Sequence, residues 1–308
     1  MSLIGVALIW GVNIPVMKYA LGYIDSYAFN AIRLSFSALT LAVLFRLQSR
    51  PLIDRSSDAV PVFRQIAMIC LFSLLAGFLY QLLFLLGIDG TSGGNTAIIL
   101  STIPMWTALL ALLILNERLQ VYAWIGLAIA FGGTIIVTLS KSSSGDDTSS
   151  LYGNLLVVAA AFVWALSVVW SRPILRKTSP VALAFVSVAA TVPLHFLVAS
   201  QGAGVYLEAM SKPKLAVAIL YSGVFSTGLA YAMWNYGVQQ LGAAHAAVFQ
   251  NLVPLIALVA GWVFIGEVPF LLQLVGGGLI IAGLVIMRSR GNGATMKKKS
   301  QSPDSKGD

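Results

Sequence analysis

Ten long apolar runs, parted by short breaks at charged or turn-forming residues, dominate this sequence. They cover roughly 2–20, 27–47, 63–86, 92–114, 120–139, 151–171, 181–200, 214–237, 242–264 and 268–287. A helix needs about 20 apolar residues to cross a bilayer core, and ten such spans with short loops use up the chain. Only 10% of the residues are charged, against 58% hydrophobic. A soluble domain carries about 25% charged residues, so lipid must form part of the solvent around this one. Strands are disfavoured as spanning elements, because the runs are too long and lack the polar alternation of a barrel. Open strands would also leave backbone groups unsatisfied in lipid. The fold class expected is an all-α integral membrane protein of ten transmembrane helices.

The runs contain an internal repeat. At a shift of 150 residues Gly87 falls on Gly237, Pro104 on Pro254, Glu117 on Glu267, Gly126 on Gly276 and Gly133 on Gly283. Trp10 falls on Trp164 at a shift of 154, which needs only a short insertion in between. Coincidences at Pro, Glu and Gly carry more weight than matches between aliphatic residues in so hydrophobic a chain. Each unit holds five runs, an odd number, so the second copy enters the membrane upside down. The expected arrangement is two inverted-topology five-helix repeats, with a substrate site near the midplane between them.

Lys and Arg set the orientation. With the N-terminus cytoplasmic, fourteen basic residues lie in inside segments and five (Lys18, Arg33, Lys141, Lys212 and Lys214) in outside or outer-half positions. The excess places both termini inside. The formal net charge of +8 is thereby explained by topology, without a nucleic-acid partner. The first run, Leu3 to Val16, has neither a preceding basic segment nor a small-residue cleavage site, and is read as the first helix rather than a signal peptide. The single cysteine, Cys70, lies inside an apolar run and is read as a small core hydrophobe. Residues 141–150 form a polar linker, and 288–308 a basic, disordered, cytoplasmic tail.

Two stretches carry a family resemblance. In the first half Ile114, Leu115, Asn116, Glu117, Arg118 and Leu119 are followed by Trp124, Ile125, Gly126, Gly132 and Gly133; in the second, Phe264, Ile265, Gly266, Glu267, Val268 and Pro269 are followed by Gln273, Gly276 and Gly283. With Ala7 to Gly11 and Ala31 to Leu34, they resemble the EamA-type transporters of the drug/metabolite transporter superfamily. The resemblance covers one EamA-like unit over 1–140 and a second over 151–287. The second half departs from it in having no arginine to match Arg33. The resemblance implies an exporter or facilitator of amino acids or similar metabolites in the inner membrane. Its partners would be the bilayer and a small-molecule substrate, and the chain would act as a monomer or homodimer.

Polar and aromatic residues within the spans mark a candidate substrate site: Trp10, Asn13, Tyr80, Gln81, Ser101, Trp164, Ser167, Tyr231, Trp234, Asn235, Gln250 and Asn251. A polar group in hydrocarbon must find a partner, so these side chains should face the bundle. Bonding between helices and contact with a ligand remain alternatives for each. Arg33 joins the set. It lies about two turns inside its run, where a charge costs roughly 2.5–3.5 kcal/mol on insertion scales. Either it meets an anionic group such as a carboxylate, or it snorkels to the outer surface or binds helix-end carbonyls.

Pro104 and Pro254 interrupt the fourth and ninth runs at matched positions and are read as paired hinges. Glu117 and Glu267 are read as structural, each capping the helix that follows. Gly126, Gly133, Gly276 and Gly283 are expected to permit close helix contact. His195 and His245 are isolated and have no metal-ligand company, so neither a metal nor another cofactor is expected. His245 is read first as a helix-end residue and second as a proton-linked gate. The sequence has no HExxH, GxSxG or Walker A motif and no pair of aspartates on separate spans, so neither enzymatic chemistry nor direct drive by ATP is expected. A lipid-linked carrier flippase and a channel are the rival functions.

Overall fold

The computed structural model describes residues 2–48, 61–90, 96, 99–116, 120–141, 151–265 and 271–289. Glu117, Glu267, linker residues 142–150 and tail residues 290–308 lie outside these. Among the described residues the secondary structure is helical throughout, without strands. Six helices are long and apolar enough to cross a membrane: Ser2–Leu21, Ser26–Leu47, Phe63–Asp89, Leu151–Ile174, Pro180–Ala199 and Pro213–Leu241. Shorter apolar helices lie at Ile103–Leu115, Val121–Gly133, Ala243–Ala257 and Leu274–Gly283.

Local chemistry fixes several boundaries. Helix α1 spans Ser2–Leu21 and α2 spans Ser26–Leu47. Asp25 caps α2, its carboxylate accepting from the backbone N–H groups of Tyr27 at 3.0 Å and Ala28 at 3.1 Å. It satisfies donors that have no partner inside the helix. The third segment comprises α3 (Val62–Phe72), a π-helical stretch (Ser73–Leu79) and α4 (Tyr80–Asp89). Next come α5 (Ile103–Leu115), which ends on left-handed Asn116, and α6 (Val121–Lys141). Helix α7 covers Leu151–Ile174. Helix α8 covers Pro180–Ala199, with Ser179 capping the Ala182 N–H and Pro180 in its first turn. A short helix α9 (Ala203–Ser211) leads into α10 (Pro213–Leu220), a second π-helical stretch (Tyr221–Leu229) and α11 (Ala230–Leu241). Gly242 follows at φ 87°, a conformation that glycine adopts without strain. The chain resumes as α12 (Ala243–Ala247), a 3₁₀ turn (Val248–Asn251), α13 (Leu252–Ile265) and α14 (Leu271–Ser289).

Three expectations need correcting. The fourth run breaks at a turn over 101–102 before Pro104, and the ninth passes through a 3₁₀ turn before Pro254, so neither is one regular α-helix with a kink at its proline. Backbone turns precede α5 and α13, and Pro104 and Pro254 fall in the first turns of these new helices. Proline is well tolerated at the start of α5, where its missing N–H would have no partner inside the helix. Cys70 is exposed rather than part of the core. The third and eighth runs are not uniform α-helices, since each carries a π stretch at its centre.

The bundle exposes large apolar side chains and buries polar ones within an apolar core. Leu47, Leu113 and Leu197 are about three-quarters exposed, whereas Asn30, Arg33, Ser187, His195 and Asn235 are at most 3% exposed. That inversion suits a lipid solvent.

Glycine contacts tie helices of the two halves together, and they come in pairs. A Cβ on Gly133 of α6 would strike the Gly276 carbonyl of α14, and one on Gly283 would strike the Gly126 carbonyl. Gly77 in the first π stretch lies against Ser187 of α8, and Gly223 in the second lies against Arg33 of α2. Gly87 meets Val157 of α7, while Gly237 meets Leu3 of α1. The absence of side chains lets backbones approach closely, which favours helix association in lipid.

Candidate functional site

Where α1, α2, α4, α7 and α11 converge, a cavity of about 140 Å³ opens, roughly ten times the least volume that holds one water. Nine of the expected site residues line it: Trp10, Asn13, Arg33, Tyr80, Gln81, Ser101, Trp164, Tyr231 and Gln250. Pro254 also lines it, whereas Pro104 is buried outside the lining beside Ile103.

The aromatic wall is a connected cluster. Trp164 sits at its centre, 4.6 Å from Tyr80, 5.8 Å from Trp10 and 6.0 Å from Tyr231 between ring centroids. Trp234, 2% exposed, does not reach the cavity and instead backs the wall, 5.4 Å from Trp10 and 6.1 Å from Trp164. Tilted and edge-on contacts of this kind add to the energy of burial. Trp10 is anchored by its indole N–H, which donates to the Ser226 carbonyl at 3.0 Å. Ser226 belongs to the second π stretch, and the wider hydrogen-bond pattern there frees carbonyls for side-chain donors.

Arg33 is buried, 3% exposed, so the snorkelling alternative does not describe it. Its Nη1 donates to Thr227 Oγ1 at 2.8 Å and its Nη2 to Gln81 Oε1 at 2.7 Å. The guanidinium carbon lies 5.7 Å from the centroid of the Phe29 ring, a cation–π distance. None of these partners is an acid, and no acidic side chain lines the cavity among the described residues.

Two other expected residues bond within or between helices, and a third lies buried away from the cavity. Ser167 Oγ donates to the Trp164 carbonyl of its own helix at 2.7 Å. Asn235 Nδ2 donates to the Pro180 carbonyl at 3.4 Å, joining α11 to α8. Asn251 is 1% exposed and does not line the cavity. His245 is exposed on α12 and lies away from the cavity lining.

The sequence reading missed Thr227 and Ser226, which hold Arg33 and Trp10. Their signal was the polar stretch Ser222-Gly223 to Ser226-Thr227-Gly228 inside an apolar run. It also missed the partners of His195. Asn30 Nδ2 lies 3.1 Å from Nδ1, and Nε2 lies 2.9 Å from the Gly77 carbonyl oxygen in the first π stretch. A carbonyl can only accept, so Nε2 carries the proton and Nδ1 accepts from the Asn30 amide.

Comparison with known proteins agrees with this architecture. The EamA-like transporter family matches twice, over residues 1–139 and 151–289. The "Uncharacterized transporter YoaV" of Bacillus subtilis is 26% identical over 92% of this chain and 94% of its own. The "Probable terminal-alkyne amino-acid exporter" of Streptantibioticus cattleyicolor is 29% identical over 94% and 93% of the two chains. The "Probable amino-acid metabolite efflux pump" of Salmonella typhimurium is 26% identical over 91% of each. One solved crystal structure shares the fold with a TM-score of 0.73, covering 98% of both chains at 15% identity. The three named relatives are a transporter, an exporter and an efflux pump, not enzymes, and the chain belongs to the EamA-like transporter family.

Proposed function

We propose that this chain exports, or facilitates the passage of, amino acids or similar small polar metabolites across the inner membrane. The observation that carries the reading is the cavity itself, to which both halves contribute: Trp10, Arg33, Tyr80 and Gln81 from one, Trp164, Thr227, Tyr231 and Gln250 from the other. Flat aromatic walls with a few polar groups suit a small amphipathic solute. Two relatives are named for amino-acid export or efflux, which supports the same substrate class.

In this reading ten helices form two inverted five-helix repeats, with both termini cytoplasmic. Alternating access arises as one repeat rocks against the other around the cavity. Pro104 and Pro254, each at the start of a helix after a backbone turn, are the paired hinges. The paired glycines provide close seams that hold the helices together during the motion.

Efflux of a panel of labelled metabolites from vesicles containing the purified chain, with and without a pH gradient, tests the proposal. Amino acids should leave faster than from empty vesicles. Flipping of a labelled lipid with no metabolite movement would identify a lipid-linked carrier flippase instead.

A further inference from the structure

Among the described residues, four polar atoms of the cavity lining are buried without a hydrogen-bond partner, and they divide by chemistry. Arg33 Nε and the Trp164 indole nitrogen are donors, whereas Asn13 Oδ1 and Gln250 Oε1 are acceptors. Arg33 and Asn13 are themselves 3% and 7% exposed, so bulk water does not satisfy them. Buried polar groups normally find partners, and a set left open around a cavity is a template for what the cavity receives.

The donor side carries charge. Both terminal nitrogens of Arg33 are held by neutral oxygens, Thr227 Oγ1 and Gln81 Oε1. Those bonds fix the guanidinium plane without neutralising it, and no acid among the described residues lines the cavity to do so. A buried, uncompensated cation is costly, and the counter-charge must arrive with the ligand. A carboxylate suits the open Arg33 Nε–H and the unpartnered Trp164 indole N–H. The acceptors come from other elements. Asn13 is on α1, one turn beyond Trp10, and Gln250 is on the 3₁₀ turn that packs against α1. Two amide oxygens there call for a donor group on the ligand. A bare monocarboxylate would leave them unmet, and a bare amine would meet no carboxylate.

We infer that the cavity binds the zwitterionic head group of an α-amino acid, with its carboxylate on Arg33 and Trp164 and its ammonium on Asn13 and Gln250. This assignment rests on the transporter reading and names the substrate class of that same site. Cationic solutes are excluded by the unbalanced Arg33 charge. The walls of Trp10, Tyr80 and Trp164 select an apolar side chain.

The test uses the full chain in proteoliposomes and three probes of similar shape: L-leucine, 4-methylpentanoate, which lacks the amine, and isopentylamine, which lacks the carboxylate. Labelled L-leucine should move, and each analogue should compete at least tenfold more weakly than unlabelled L-leucine. Asn13→Leu should weaken competition by L-leucine while leaving that by 4-methylpentanoate unchanged, a readout that a merely misfolded variant would not give. Arg33→Gln should raise the KM for L-leucine at least tenfold. Competition by 4-methylpentanoate equal to that of L-leucine overturns the ammonium site, and equal competition by isopentylamine overturns the carboxylate site. In both cases leucine transport still stands. Failure of L-leucine to move overturns the inference, and lipid flipping without metabolite movement removes the transporter reading as well.

Discussion

His195 and Gly77 meet inside the bundle, the imidazole Nε2 lying 2.9 Å from the Gly77 carbonyl oxygen. The contact joins α8 to the first π stretch, while Nδ1 takes a bond from Asn30 of α2. One neutral imidazole thus pins three elements. His195→Ala would leave the Gly77 carbonyl and the Asn30 amide without their partner. A buried group stripped of its partner costs about 1–3 kcal/mol. The expected outcome is a lower melting temperature in detergent, read by scanning fluorimetry. An unchanged melting temperature would show that the imidazole bears no structural load.

The glycine seam between α6 and α14 makes a contrast testable within one helix. A Cβ at Gly133 would strike backbone of α14, but one at the adjacent Gly132 would meet nothing within 4 Å. Gly133→Ala and Gly283→Ala should each destabilise the protein by about 1–3 kcal/mol, the usual range for overpacking. Gly132→Ala should be neutral or slightly stabilising, since alanine is the better helix former. Thermal melts of the three variants side by side decide it, and equal losses at Gly132 and Gly133 would count against the seam.

Gln81 holds Arg33 in place through a 2.7 Å hydrogen bond. Gln81→Leu keeps the bulk but removes the acceptor. Hydrogen bonds to charged groups contribute about 1.5–3 kcal/mol, and 1.4 kcal/mol corresponds to about a tenfold change in affinity. Initial efflux rates measured against substrate concentration should therefore show at least a tenfold rise in KM. A KM equal to that of the parent protein would mean that Arg33 needs no such support.

Outside the spans, on α9, Glu208 pairs with Lys212 at 2.8 Å. The hydrogen bond and the charge of Lys212 hold the Glu208 carboxyl below its ordinary value. Its contribution to stability is thus present above the ordinary carboxylate range and is lost as pH falls through the lowered value. Both side chains are exposed, so the contribution is small and screened by salt. Lys212→Ala should return the Glu208 titration, followed by NMR, towards the ordinary range, with little change in the thermal melt. A titration that stays low would assign the shift to another cause.

Composition and periodicity carried much of this architecture, because lipid imposes a length and a polarity on every span. Arg33 stood out for the same reason, as a charge inside an apolar run. The π stretches did not, since 73–79 and 221–229 have the same residue types as an α-helix. What distinguishes them is the packing of Gly77 and Gly223 onto α8 and α2, a contact between distant parts of the chain. The partners of Arg33 and His195 are equally distant, with Thr227 and Gly77 194 and 118 residues away in sequence. Pro104 and Pro254 were legible as breaks, but whether a proline bends a helix or begins one depends on the residues before it. Cys70 illustrates a further limit. An apolar run shows that a residue avoids water, not whether it faces protein or lipid.

The seam between α6 and α14 has a consequence for biosynthesis. Gly133 and Gly283 lie 150 positions apart, and the later glycine is near the end of the described chain. Helix α6 therefore emerges from the ribosome long before its partner exists, and its exposed glycine face must wait in the membrane while the second half is made. The last described helix is the one that packs against the first half, so truncation before α14 would leave both halves unfinished rather than one.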